Sequence, residues 1–219
     1  SPRVSDADGL DASARGALAR LRAAHGGRAS ASSSRVVRVC DAIESAIEGA
    51  GARVTSTSVF AAAFGALERA IEAAETGGED ALEALEAVSA AAAEAATDAD
   101  DRVVRAKMER TCEVIMACGR VVSARAPKSM RNVAKLLARC ASSADASGGS
   151  EKFGKRAFQA TLNLTVDGRP KVRKAAVYAL SDVMRRMQER TGDARGLGET
   201  YGEMTAAFAR KIGEAPEGA

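Results

Sequence analysis

A proline followed by apolar residues at helical spacing constrains the fold of this chain more than any other feature. Pro170 follows the turn residues Asp167 and Gly168, and proline fits the first turn of a helix, where its missing N–H would have no partner. Behind it, apolar residues recur every three or four positions along one helical face: Val172, Ala175, Ala176, Ala179, Leu180 and Val183. The pattern predicts an amphipathic helix that must pack against other helices.

Similar stripes run through most of the chain, and the composition favours an all-α fold. Aromatic residues make up 3% of the 219 residues and tryptophan is absent, so a core must be built from Ala, Leu, Val, Ile and Met. The stripes and their Gly and Pro breaks predict about nine helices. The residues expected to be buried are Phe60, Leu67, Leu85, Val104, Ile115, Leu137, Phe158, Val172 and Leu180.

Glycine, proline and capping residues predict where these helices begin and end. The predicted boundaries are a helix from Asp11 to His25, a linker at Ser30–Ser34, a cap at Thr55 or Thr57, one helix from Asp98 to Arg125, and a loop at Gly192–Gly198. We therefore divide the chain in two. Residues 1–34 would form a short helix and a flexible linker, and residues 35–219 a helical repeat domain that is a fragment of a longer array.

The order of residues around Pro170 resembles the second helix of a HEAT repeat. The order is an aspartate, the proline, the Val172-Arg173 pair, alanines and then Leu180. The resemblance implies an armadillo-like α-solenoid of HEAT-like antiparallel helical pairs. Phe60 and Val104, which occupy similar positions, are 44 residues apart, within the ~40–47 residues of such units. A compact helical bundle is the alternative architecture.

Few residues could support catalysis or bind a metal. His25 is the only histidine, and none of the four cysteines forms a CxxC pair, so we expect reduced core cysteines. The glycines at 192–198 lack the GK[ST] of a phosphate loop. We expect no catalytic residue, no metal, no cofactor and no small-molecule substrate. The same residues do not argue against a subunit that holds a catalytic partner. No apolar run approaches the ~20 residues that span a bilayer, so no membrane partner is expected.

Charge is distributed unevenly between the two halves of the chain. Residues 1–100 hold nine arginines, no lysine and 16 acidic residues, a net charge of −7. Residues 101–219 hold 23 basic and 13 acidic residues, a net charge of +10. This asymmetry indicates an acidic partner for the C-terminal half, either RNA or an acidic protein, unless the charges are only solvated helix faces.

Two basic clusters are the candidate sites for RNA or another partner. One surrounds the start of the helix at Pro170 and the other lies at the start of the preceding helix: Arg169, Lys171, Arg173 and Lys174, and Lys152, Lys155 and Arg156. The two starts lie at opposite ends of a helical hairpin, which favours a stripe over a single pocket. Arg173 has a second interpretation, since the arginine of a Val-Arg pair often supports the neighbouring repeat.

Two segments resemble the N-terminal region of the ribosomal RNA-processing protein 12 family. The first runs from Thr57 to Glu68, although Ser56 and Val59 depart from the family pattern, and the second runs from Arg169 to Ala175. The resemblance implies a long α-solenoid in the nucleus and nucleolus, with contacts to pre-ribosomal RNA and assembly-factor proteins and a link to nuclear export.

The sequence therefore predicts a non-enzymatic HEAT-repeat scaffold in ribosome biogenesis, active in small-subunit pre-rRNA processing or assembly. It would bind pre-ribosomal RNA or assembly proteins through the basic C-terminal half. The alternative is a HEAT adaptor of the nuclear transport-receptor type that binds only protein. RNA binding that weakens with salt would separate the two.

Overall fold

Helices follow one another throughout the described part of the chain. The computed structural model describes residues 16–27, 30–146, 149–190 and 193–214, and no strand occurs within these ranges. The helices are α1 (16–25), α2 (Ala31–Gly49), α3 (Ser56–Thr76), α4 (Glu79–Asp98), α5 (Asp101–Ala106), α6 (Met108–Arg125), α7 (Met130–Ser143), α8 (Glu151–Leu164), α9 (Pro170–Glu189) and α10 (Asp193–Gly213). A 3₁₀ turn at Pro127–Ser129 precedes α7.

The helices stack in two layers, which is the arrangement of an α-solenoid. In one layer α3, α6, α8 and α10 pack in series, and in the other α2, α4, α7 and α9 do so. Short links connect the layers, so that α3 packs on α4, α6 on α7 and α8 on α9 as helical pairs. Because the helices stack serially on their neighbours, the all-α HEAT-like solenoid is confirmed over the compact bundle.

Serine and threonine side chains begin two of the N-terminal helices. Thr55 caps α3, since its Oγ1 accepts from the Ser58 N–H at 3.1 Å while Ser58 Oγ accepts from the Thr55 N–H at 2.8 Å. Ser30 caps α2 through a 3.2 Å bond from the Ser33 N–H. Residues 31–34 are therefore the first turn of α2 rather than the linker that their serine content indicates. The division of the chain at residue 34 stays a prediction.

The single helix expected from Asp98 to Arg125 is two helices. Asp98 ends α4, and α5 and α6 are separated at Lys107, whose φ of −131° and ψ of 34° are not helical. No glycine or proline causes this break. Packing causes it, because buried Val104 lies in α5, which packs on α7, and the buried Met108 sulfur lies 3.0 Å from Cys140 Sγ of α7.

The loop predicted at Gly192–Gly198 is also corrected, since α10 begins at Asp193. Leu197 and Tyr201 of this helix are buried, and their packing outweighs the low helix propensity of glycine, about 1 kcal/mol per residue. Tyr201 donates a 2.9 Å hydrogen bond to the Ala141 carbonyl and stacks on Phe158 with ring centroids 4.1 Å apart. Residue 192 and the predicted cap Asp11 lie outside the described residues.

The core is built as the apolar stripes predict, with one exception. The buried members of the predicted set are Phe60, Leu67, Leu85, Val104, Ile115, Leu137, Phe158 and Val172. Leu180 is only half-buried, because it lies beside Val177 and Met184 in an open depression facing α10. All four cysteines are unpaired and buried, as expected of core residues.

Arginine side chains hold several helix C-termini. Arg125 does so for α3, Arg139 for α4 and Arg190 for α7, each by donating to backbone carbonyls that have no partner within their own helix. Arg139 is buried and donates to the carbonyls of Ala96 at 2.7 Å and Ala99 at 2.5 Å. These hydrogen bonds join helices of neighbouring pairs and so set the stacking of the solenoid.

Candidate nucleic-acid interface

The turn before α9 is fixed by an aspartate and two of the predicted basic residues. Asp167 accepts hydrogen bonds from Arg169 Nε at 2.7 Å and Nη2 at 2.6 Å, and these bonds lower the pKa of the Asp167 carboxyl to about 2. Arg173 Nη1 donates to the carbonyls of Asp167 at 2.8 Å and Gly168 at 3.0 Å. Arg173 therefore supports the turn before its own helix rather than a neighbouring repeat, and the charge of Arg169 is largely balanced inside the turn.

Lys171 and Lys174 of the same cluster are exposed and have no such partner. Neither forms an ion pair with any carboxylate of the described residues. Lys174 Nζ lies 5.8 Å from the centroid of the Tyr178 ring, one turn further along α9. Lys171 lies in the first turn of α9 and gains nothing from the helix dipole, which favours negative charge there. Both ammonium groups are therefore available to an external anion.

Packing of α9 on α7 adds three cations that the sequence analysis did not single out. Lys171 shares a cavity of about 600 Å³ with Lys128, Arg131 and Arg169. Arg131 also lines a neighbouring cavity of about 610 Å³ together with Lys135 and Tyr178. The two cavities adjoin at Arg131, and together with the exposed Lys174 they make up one surface along α7 and α9. We call it the α7–α9 groove and define it by Lys128, Arg131, Lys135, Lys171, Lys174 and Tyr178.

A repeated sequence pattern could have identified the α7 side of this groove. Pro127-Lys128 is followed three residues later by Arg131, just as Pro170-Lys171 is followed three residues later by Lys174. The two prolines are 43 residues apart, which is one HEAT unit. Equivalent positions of adjacent repeats lie side by side in a solenoid, so the basic residues pair up across the groove.

Acidic residues in the groove are mostly neutralised by other side chains. Asp182 is paired with Arg185 and with Arg186, whose Nε lies 2.9 Å from the carboxylate. Burial alone would raise the pKa of Asp182, but the hydrogen bonds and charges of the two arginines outweigh it and the pKa lies below its ordinary value. Glu94 accepts from Arg20 Nε at 2.7 Å, and Glu86 lies at the groove edge. The groove therefore keeps a net positive charge.

The second predicted cluster lies in the other layer, on α8. Lys155 forms an ion pair with Glu151, and Lys152 Nζ lies 5.7 Å from the Phe153 ring. Arg156 is exposed in a depression against α3 and α6 that also contains Glu68 and Glu113. The structure places these residues outside the α7–α9 groove because α8 belongs to the other layer of the solenoid.

The buried cysteines of the described core differ in how readily their thiols ionise, and a hydrogen bond with Cys140 lowers the pKa of Cys112. Burial raises the pKa of Cys118 to about 12 and that of Cys40 to about 11, so both thiols stay protonated at neutral pH. Burial also raises the pKa of Tyr201 well above its ordinary value. Among the described residues no three His, Cys, Asp or Glu side chains are grouped so as to hold a metal ion. None of the described helices combines the length and apolar character of a membrane span.

Comparison with known proteins assigns the chain to a family. The family model described as RRP12-like, N-terminal HEAT repeats matches residues 14–195, a range that contains every residue of the α7–α9 groove. Neither the curated proteins nor the solved structures provide a match. The match covers most of the chain and agrees with the helical pairs and the two-layer stacking described above. This chain belongs to the RRP12-like family and corresponds to the N-terminal HEAT repeats that the family model describes.

Proposed function

We propose that the chain is a non-enzymatic HEAT-repeat scaffold of ribosome biogenesis that binds pre-ribosomal RNA through the α7–α9 groove. Membership of the RRP12-like family supports the biological setting, and with it the nucleus and nucleolus as the compartment. Assembly-factor proteins are the second class of partner that the family suggests. The α8 cluster of Lys152, Lys155 and Arg156 would extend the binding surface on the other layer.

The observation that carries the RNA proposal is a set of exposed cations that form no ion pair with a carboxylate of the described residues. Five of the residues that define the groove carry these charges, and four of them line its cavities while Lys174 lies beside Tyr178: Lys128, Arg131, Lys135, Lys171 and Lys174. Like charges this close to one another repel, and the repulsion is relieved when phosphates bind between them. Release of counterions from the RNA backbone then adds favourable entropy.

The test is fluorescence anisotropy with a labelled RNA over a salt series. The double variant Lys171→Glu and Lys174→Glu should bind RNA more weakly whatever the RNA sequence. The slope of log K against log salt should become shallower by roughly 0.7–0.9 for each phosphate that the variant no longer binds. Glutamate near the N-terminus of α9 interacts favourably with the helix dipole, so the variant should stay folded.

A matched control keeps the change in net charge but moves it away from the groove. Arg38 on α2 and Arg69 on α3 are both exposed, and replacing both with glutamate changes the net charge by the same amount. This control should keep most of the affinity. A double variant Lys152→Glu and Arg156→Glu measures the contribution of the α8 cluster separately. Unchanged affinity and slope in the folded Lys171 and Lys174 variant would favour the adaptor that binds only protein.

A further inference from the structure

Tyr178 is exposed to an extent unusual for an aromatic residue in this fold. It is 65% exposed, more than any other large hydrophobic side chain among the described residues. Tyr201 provides the contrast within the same protein, since it is fully buried, stacked and hydrogen-bonded. Among the described residues, only the ammonium group of Lys174 lies over the ring of Tyr178, at 5.8 Å from its centroid. Core packing therefore does not explain this side chain.

The surroundings of Tyr178 leave the ring open to a flat ligand. The same cavity of about 610 Å³ contains the small residues Ala138, Ala175 and Ala179, which do not cover the ring. Lys135 occupies the position of Tyr178 one repeat earlier, 43 residues before it, and so lies across the groove. Arg131 and Lys174 form the equivalent pair one turn earlier. Lys174 therefore lies over the ring of Tyr178, and Arg131 and Lys135 line the same cavity as the ring.

We infer that the α7–α9 groove binds single-stranded RNA, with one unpaired base stacked on Tyr178 and the adjoining phosphates held by Arg131, Lys135 and Lys174. This inference rests on the proposed function and names the class of RNA. Every base has a flat face, so stacking on an aromatic ring is largely independent of sequence. Bases in an A-form duplex are stacked inside the helix and cannot reach the ring, and side chains cannot read its narrow major groove.

The central test compares substitutions of Tyr178 on a short unstructured RNA and on an RNA duplex of equal charge. Tyr178→Ala should weaken binding of the single strand by roughly 5- to 100-fold, the effect of losing one base–aromatic stack. Binding of the duplex should not change. Tyr178→Phe keeps the flat ring and should bind as the unaltered protein does. Tyr178→Leu keeps an apolar side chain without the ring and should resemble the alanine variant.

Tyrosine emission gives a second and more direct readout. The chain contains no tryptophan and only two tyrosines, of which Tyr201 is buried. A base stacked on Tyr178 should therefore quench much of the exposed tyrosine emission when single-stranded RNA is added. The Tyr178→Phe variant should bind the same RNA with no comparable quenching. Duplex RNA should not quench the emission of either protein.

The outcomes separate this inference from the proposed function. If the Lys171 and Lys174 double variant loses affinity while Tyr178→Ala binds the single strand unchanged and emission is not quenched, RNA binding stands and stacking is overturned. If neither folded variant changes affinity, RNA binding by the groove itself fails. An acidic peptide that binds more tightly than single-stranded RNA of equal charge, with no loss in Tyr178→Ala, would overturn the inference in favour of a protein partner.

Discussion

Arg139 of α7 donates a 2.7 Å hydrogen bond from Nε to the backbone carbonyl of Ala96, and so α7 holds the C-terminal end of α4. The same guanidinium forms an ion pair with Asp101 at the start of α5. Burial alone would raise the pKa of Asp101, but the hydrogen bond from Arg139 and the nearby arginine charges outweigh it and the pKa is lowered. One buried side chain thus links three helices of two neighbouring repeats.

Replacing Arg139 with methionine should destabilise the protein strongly. The change leaves the buried Ala96 and Ala99 carbonyls without their donor and removes the ion pair of the partly exposed Asp101, which keeps a hydrogen bond from Ser143 Oγ. Each buried acceptor left without a donor costs about 1–3 kcal/mol, and the partly exposed ion pair adds less than a buried one would. Urea denaturation measures the loss. Arg131→Met, on the exposed face of the same helix, is the matched control and should change stability by no more than about 0.5 kcal/mol. Equal losses of stability in the two variants would show that Arg139 does not hold the neighbouring helices together.

Gly154 should not tolerate alanine, because α8 lies very close to its neighbours at this point. A Cβ built on Gly154 would lie 2.3 Å from Ala144 Cβ and 2.8 Å from the Tyr201 hydroxyl oxygen. Relief of that overlap requires backbone shifts, and the cost should be about 1–3 kcal/mol or more. Thermal unfolding measures it. Gly202 of α10 is the control, since its Cβ would meet nothing within 4 Å. Gly202→Ala should be neutral or stabilise the helix by up to about 1 kcal/mol.

Truncation of Phe158 should cost much more than truncation of Leu180. Phe158 is fully buried against Tyr201, so Phe158→Ala should lower the free energy of unfolding by about 3–5 kcal/mol. Leu180 is only half-buried in the depression facing α10, so Leu180→Ala should cost less than the ~2–5 kcal/mol of a fully buried leucine. Chemical denaturation of both variants tests the order. A larger loss for Leu180 would mean that α10 closes over it in solution.

The carboxyl group of Asp167 should titrate with a midpoint near pH 2, below its ordinary value of 3.8, because of the hydrogen bonds from Arg169. A carboxyl whose pKa is lowered by folding stabilises the fold above its unfolded-state pKa. That contribution disappears as the pH falls through about 2. Carboxyl chemical shifts in an NMR titration give the midpoint. Arg169→Met should move it upward towards 3.8, and a midpoint already near 3.8 in the unaltered protein would contradict the hydrogen bonds from Arg169.

The local elements of this protein could be predicted because periodicity and capping are properties of neighbouring residues. The apolar stripe behind Pro170 predicts α9, and of the two caps that the sequence allows for α3, Thr55 or Thr57, the structure uses Thr55. Two residues of the candidate interface, Lys171 and Lys174, also emerge from the charge pattern. Their side chains are free in the structure because no carboxylate of the described residues reaches them.

The remaining features depend on contacts between residues about one repeat apart in the sequence. The pattern of neighbouring residues does not specify such contacts. The break at Lys107 and the start of α10 at Asp193 follow from apolar packing against other helices rather than from glycine or proline. Arg139 and Arg131 are the same residue type on one helix and differ only in what surrounds them. The α7–α9 groove exists because equivalent positions 43 residues apart lie side by side once the repeats stack. The residue pattern alone thus specifies the helices and their basic starts, whereas the stacking of repeats specifies which cations face an open groove and which hold the helices together.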